Sequence, residues 1–123
     1  MSVQDHFEVS NEFAILRLTG SATLQESVSL VSGAILRARE EGYPKLLVNA
    51  AELTGFKSPS VTERYWFVRE WAEAARGMVR VAFVVREEMI DWQKFGITVG
   101  RNAGLMGEVF ATEAEAVAWL REN

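Results

Sequence analysis

Leu46-Leu47-Val48 is the run that most limits what this chain can become. Three large aliphatic residues are too few for a helix. As a strand they place apolar groups on both faces, which suits an interior parallel strand covered on both sides. Asn49-Ala50-Ala51-Glu52 closes the run, and a polar stretch follows, Thr54-Gly55-Phe56-Lys57-Ser58-Pro59-Ser60. Val61 through Trp71 then reads as a helix. A buried strand, a loop at its carboxyl end and a helix amino terminus make up half of a strand-helix-strand unit. In open α/β sheets, binding sites lie at such loops.

The flanking segments extend the same pattern. Phe7-Glu8-Val9 and Phe13–Gly20 read as strands joined by a tight turn at Ser10-Asn11-Glu12. Within the second, Leu16 and Leu18 alternate with Ile15, Arg17 and Thr19, as in a half-covered sheet. Thr23-Leu24-Gln25-Glu26 is a capping box: the hydroxyl accepts from the N3 amide and the carboxylate accepts from the cap amide. Leu24, Val28, Val31, Ile35 and Ala38 then recur at helical spacing until Gly42 and Pro44 stop the helix. Val79–Val85 is the most strand-like run and is expected at the centre of the sheet. Glu87–Gly104 reads as a helix carrying Trp92, Phe95 and Val99 inward. Met106–Phe110 is a short last strand. Thr112-Glu113-Ala114-Glu115 caps a terminal helix with Val117 and Leu120 inward.

The order is thus β-β-α-β-α-β-α-β-α. The expected fold is α/β, a mixed five-stranded sheet with about four helices. The amino-terminal hairpin is antiparallel at an edge and the remaining strands are parallel.

Composition narrows the function classes. The 123 residues fit one domain spanning 1–123, with enough chain for a single core. Thirteen basic against 17 acidic residues give a formal charge of −4, the wrong sign for a phosphate-driven nucleic-acid binder. There is no cysteine, hence no thiol nucleophile or thiolate metal site. The amino terminus lacks the basic-then-apolar pattern of a secretory signal, and no apolar run nears the ~18 residues that span a bilayer. A cytoplasmic location without membrane insertion is expected.

Chemistry-bearing residues are sparse. His6 is the only histidine and completes no Ser-His-Asp arrangement. Glu87, Glu88 and Asp91 follow a strand end, where acidic residues favour a helix's first turn. Gly96, Gly100 and Gly104 recur every four residues, a spacing for close helix packing that matches neither phosphate-loop pattern. No enzyme activity, cofactor or metal is expected.

Two features around the polar loop remain. Pro59 fits the first helical position with Ser58 as cap; alternatively Ser60 is the cap and Glu63 completes a second capping box. A phosphate on Ser58 would sit at a helix amino terminus, where free amides and the helix dipole tolerate it. The following helix is unusually aromatic. Val61, Tyr65, Val68, Ala72 and Ala75 form the expected buried stripe. Trp66 falls well away from it and is expected to be substantially exposed, while Phe67 and Trp71 lie on one flank. Either neighbours bury this helix nearly all round, or its aromatics form a patch for a protein partner, a second subunit or an oily ligand.

Phe13–Gly20, ending in Arg-Leu-Thr-Gly, then a helix, then Lys45–Ser60, resembles STAS domains of the bacterial anti-anti-sigma, SpoIIAA-like type. Asn49, Leu53 and Phe56 fit that family's pattern, and Ser58 falls on the serine that the family phosphorylates. Lys57 stands at the family's aspartate, Pro59 at its second serine and Ser60 at its glycine. Trp92 through Phe95 and Val109–Leu120 resemble the SpoIIAA-like branch of the STAS/Sec14-related families. The resemblance implies a non-catalytic regulatory module that binds a protein partner through residues 54–60 and the next helix, with a phosphoserine switch at Ser58. Phe56, Lys57, Ser60, Trp66, Phe67, Trp71, Trp92 and Phe95 are the candidate contacts. The alternatives are a carrier or sensor of a small apolar, lipid-like ligand lined by Trp66, Trp92 and Phe95, and a homodimer.

Overall fold

The computed structural model describes residues 3–55, 60–87 and 104–122. Five strands form one sheet in chain order, β1-β2-β3-β4-β5. Strand β1 (Gln4–Val9) pairs antiparallel with β2 (Ala14–Ser21) at one edge; β3 (Lys45–Thr54), β4 (Arg80–Val84) and β5 (Met106–Phe110) continue in parallel. The hairpin turn is tied by Ser10, whose hydroxyl accepts from the Phe13 amide at 3.1 Å. The central strand is β3, not Val79–Val85 as the apolar pattern suggested; β4 is interior but one place off centre.

Three helices are described: α1 (Leu24–Glu41), α2 (Val61–Ala75) and α3 (Glu113–Glu122). The fourth expected helix, with Trp92 and Phe95, falls on residues outside those described, as do Phe56, Lys57 and Ser58. Both halves of the Thr23–Glu26 capping box are made, and Gly42 ends α1 in the left-handed conformation. The start of α2 is settled in favour of Ser60: its hydroxyl accepts from the Glu63 amide and the Glu63 carboxylate accepts from the Ser60 amide.

The core has two parts, one on each sheet face. Leu16, Leu18, Leu46, Val48, Val81 and Phe83 meet α1 and α2. On the reverse face, Leu47, Ala82 and Val84 lie under Ala116 and Leu120 of α3. Helix α2 buries Phe67, Val68, Trp71, Ala72 and Ala75. This corrects the expected stripe, since Tyr65 is 40% exposed while Phe67 and Trp71 are 6% and 4% exposed. The rotation has a visible cause. The Trp71 indole stacks on Phe83 with ring centroids 5.0 Å apart, meets Phe67 edge-on at 4.9 Å, and donates its N–H to the Val28 carbonyl at 3.2 Å. An indole satisfied in this way is better placed inside than a tyrosine hydroxyl without a buried acceptor.

Strand β3 runs well beyond its aliphatic run. Its pairing with β2 slips by one residue between Arg17 and Thr19, so that Arg17 faces Asn49 but Thr19 faces Glu52. The extra residue belongs to β3 and makes a bulge. The Asn49 side-chain oxygen accepts from the Ala51 amide at 3.0 Å, satisfying a donor beside the slip. After the bulge, odd-numbered Leu53 joins even-numbered Leu46 and Val48 on the α1–α2 face.

Candidate functional site

The carboxyl end of β3 is clamped before the polar loop begins. The Ala22 amide donates to the Thr54 carbonyl at 2.9 Å, and the Thr54 hydroxyl donates to the Gly20 carbonyl at 3.0 Å. Gly55 follows with φ +106°, a conformation that L side chains rarely adopt. A Cβ there would lie 2.4 Å from the Ser21 hydroxyl and 2.7 Å from the Ala22 carbonyl oxygen. The loop therefore leaves the sheet hard against the β2–α1 junction, and the chain re-enters described structure at the Ser60 cap.

Helices α1 and α2 flank this end of the sheet. Between their first turns runs an open groove of about 390 Å3. Leu24 and Val28 form one wall, and Trp66 and Phe67 the other. Trp66 is 64% exposed, as its position on the helical wheel requires. Tyr65 meets it edge-on with centroids 5.5 Å apart, and the Tyr65 hydroxyl accepts from Arg69 at 2.7 Å. Of the candidate aromatics on α2, Trp66 is thus the one on the surface. Phe67 helps to line the groove from a buried position, and Trp71 lies beneath it in the core.

Under the groove, between α1, α2 and the sheet, is a small apolar cavity of about 40 Å3 lined in part by Leu18, Val31, Leu53, Phe67, Trp71 and Phe83. That is room for a few water molecules, not for an acyl chain.

Both helix amino termini here already hold carboxylates of their own. Glu26 accepts from the Thr23 amide and Glu63 from the Ser60 amide, each at 2.9 Å. These side chains meet the demand for negative charge that an open helix terminus would offer an anion.

The reverse face carries the polar cluster that sequence reasoning missed. Arg17 on β2 reaches Glu8 at 3.3 Å and also pairs with Glu113 at the start of α3. Asn49 donates to the same Glu113 carboxylate at 2.9 Å. The Asn49 amide chiefly, with help from the Arg17 guanidinium, holds the Glu113 carboxyl below the usual glutamate range, while burial acts in the opposite direction. One guanidinium thus bridges a carboxylate of the hairpin and one of α3, so the cluster reads as a pin between α3 and the sheet. The signal was available in the bulge-prone Asn49 and the first-turn Glu113, but their pairing across 64 residues has no sequence mark.

The other candidates resolve simply. His6 is exposed and 3.6 Å from Glu8. Glu87 is exposed, while Glu88, Asp91, Gly96 and Gly100 lie outside the described residues. Among the described residues no three His, Asp or Glu side chains are grouped to hold a metal ion. Among them, too, no helix is long and apolar enough to cross a membrane.

No family model and no curated protein matches the sequence. Solved structures do match the fold. An anti-sigma factor antagonist from Mycobacterium paratuberculosis superposes with a TM-score of 0.63 at 14% identity, over 98% of this chain and 95% of its own. The anti-sigma factor antagonist SpoIIAA in its unphosphorylated form gives 0.57 at 22% identity, over 98% of this chain and 100% of its own. An uncharacterised protein with a SpoIIAA-like fold from Shewanella loihica gives 0.57 at 18% identity, covering 96% and 93%. The chain has the STAS/SpoIIAA-like fold expected from its sequence.

Proposed function

We propose that this chain is a non-catalytic, cytoplasmic regulatory module that binds a protein partner through residues 54–60 and the first turns of α2. The observation that carries this reading is Trp66. A tryptophan at 64% exposure contributes little to the core and lines the open groove between α1 and α2. Exposed tryptophans in concave surroundings are typical anchors of protein interfaces. The fold-level likeness to anti-sigma factor antagonists supports a regulatory role. Ser58 is the proposed switch. A phosphate there would add roughly −2 charge two residues before the α2 cap, whose amide the Glu63 carboxylate already engages, so it would act by repulsion on the docking surface.

The test uses the partner co-purified from the native host and then prepared pure. Trp66→Ala should weaken its binding by roughly tenfold or more while leaving the unfolding midpoint within the range of a surface substitution. Ser58→Asp should also weaken it. Unchanged affinity in Trp66→Ala would remove the α2 surface from the mechanism, and unchanged affinity in Ser58→Asp would remove the switch.

A further inference from the structure

The groove has a charge pattern as well as a shape. On α2, Glu63, Trp66 and Glu70 stand at positions i, i+3 and i+7, one stripe along one side of the helix. The exposed indole is therefore bracketed by two carboxylates about 10 Å apart along the axis. All three line the groove, opposite Leu24 and Val28, which are i and i+4 on α1. The remaining groove residues are uncharged, among them Gln25, Ser29 and Thr62. No cationic side chain is among the described residues that line it.

Both carboxylates are held in place yet retain acceptor capacity. Glu63 accepts from the Ser60 amide at 2.9 Å, and Glu70 accepts from the Ser32 hydroxyl on α1 at 2.5 Å. An ionised carboxylate has about four acceptor sites, so each can still receive a guanidinium or ammonium. Acid, aromatic, acid along one wall and aliphatic groups along the other call for a complement with the reverse pattern.

We infer that the groove between α1 and α2 accepts a basic amphipathic helix of the protein partner, with two Arg or Lys side chains about two turns apart and an apolar residue between them. This deepens the proposed function and rests on it. The apolar residue enters between Leu24, Val28 and Trp66. The two cations meet Glu63 and Glu70, and either can lie over the indole face, which attracts cations. Helix-in-groove recognition reads anchors at this same spacing. The net charge of −4 favours approach of such a segment over an acidic one.

The probe is a synthetic helical peptide of about fifteen residues with arginines seven positions apart flanking leucines. A control peptide has glutamates at the arginine positions. Each is titrated into the 123-residue chain while backbone amide and indole resonances are followed. The arginine peptide should shift residues on α1 around 24–29 and on α2 around 62–70, and its affinity should fall as salt rises. Glu70→Gln and Glu63→Gln should each weaken it about two- to fivefold, the range of one exposed ion pair. Glutamine at 63 can still complete the capping box, so fold loss is not the cause. Trp66→Ala should weaken it further. Equal response to both peptides, no response at either wall, or full affinity in Glu70→Gln would overturn the inference. Its failure is separable from that of the docking reading. If Trp66→Ala loses the native partner while Glu70→Lys keeps it, the surface docks a partner that is not basic. If Trp66→Ala keeps the native partner, the docking reading itself falls.

Discussion

At the scale of single residues, the decisive positions are those where backbone and side chain leave no choice. Gly55 combines φ +106° with contacts that no Cβ could share. Gly55→Ala should therefore destabilise the fold by about 2–4 kcal/mol, adding left-handed strain to a steric clash. Urea unfolding measures it directly, and a midpoint equal to the parent's would mean that the β3 exit is not clamped as described. Asn49 is constrained differently: one side-chain amide serves the bulge through its oxygen and Glu113 through its nitrogen. The sequence showed both positions, Gly55 within a polar stretch and Asn49 as part of a family pattern. It did not disclose why either is needed, because the atoms that press on them come from residues 21–22 and 113.

Among the elements, α2 best shows what periodicity can and cannot decide. Val61, Tyr65, Trp66, Phe67, Val68, Trp71, Ala72 and Ala75 are apolar or aromatic nearly all round the helix. Two stripes compete, and the choice falls to Phe83 on β4 and the Val28 carbonyl on α1, which together capture Trp71. Local patterns could not supply those partners. The start of α1 was legible, and that of α2 narrowed to Ser58 or Ser60, because capping boxes are local: residues three apart satisfy each other's amides without help from the rest of the fold. Removing the Ser60 hydroxyl leaves the Glu63 amide without its acceptor. Ser60→Ala should cost about 1 kcal/mol, whereas Glu63→Gln should cost much less; thermal unfolding of the two variants side by side checks the difference. Strand β3 was under-read for the same reason in reverse. Asn49-Ala50-Ala51-Glu52 has weak strand propensity, and only pairing with β2 carries the strand on to Thr54.

For the whole molecule, two ion pairs tie the terminal helix to the amino-terminal hairpin. Arg121 near the end of α3 donates to Glu12 at 2.8 and 3.0 Å, and Glu113 at its start meets Arg17 and Asn49. These partners hold both carboxyls below the usual glutamate range. A carboxyl whose folded pKa is lowered contributes stability above its unfolded value of about 4.3. That contribution is lost as pH falls through the lower folded value. Stability should thus decline on acidification below the ordinary glutamate range. Glu113→Gln should be less stable at neutral pH and show a shallower acid limb; an unchanged profile would show that the pin has no energetic role. The order of secondary structure was legible throughout the described chain, but strand placement was not, since hydrophobicity ranked Val79–Val85 above the true centre. The sheet order itself has one more consequence. Every strand sits next to its predecessor in the chain, so each one emerging from a ribosome meets a finished edge on which to template. The sheet can grow in the direction of synthesis, while α3, which closes over the reverse face, must wait for the last residues to appear.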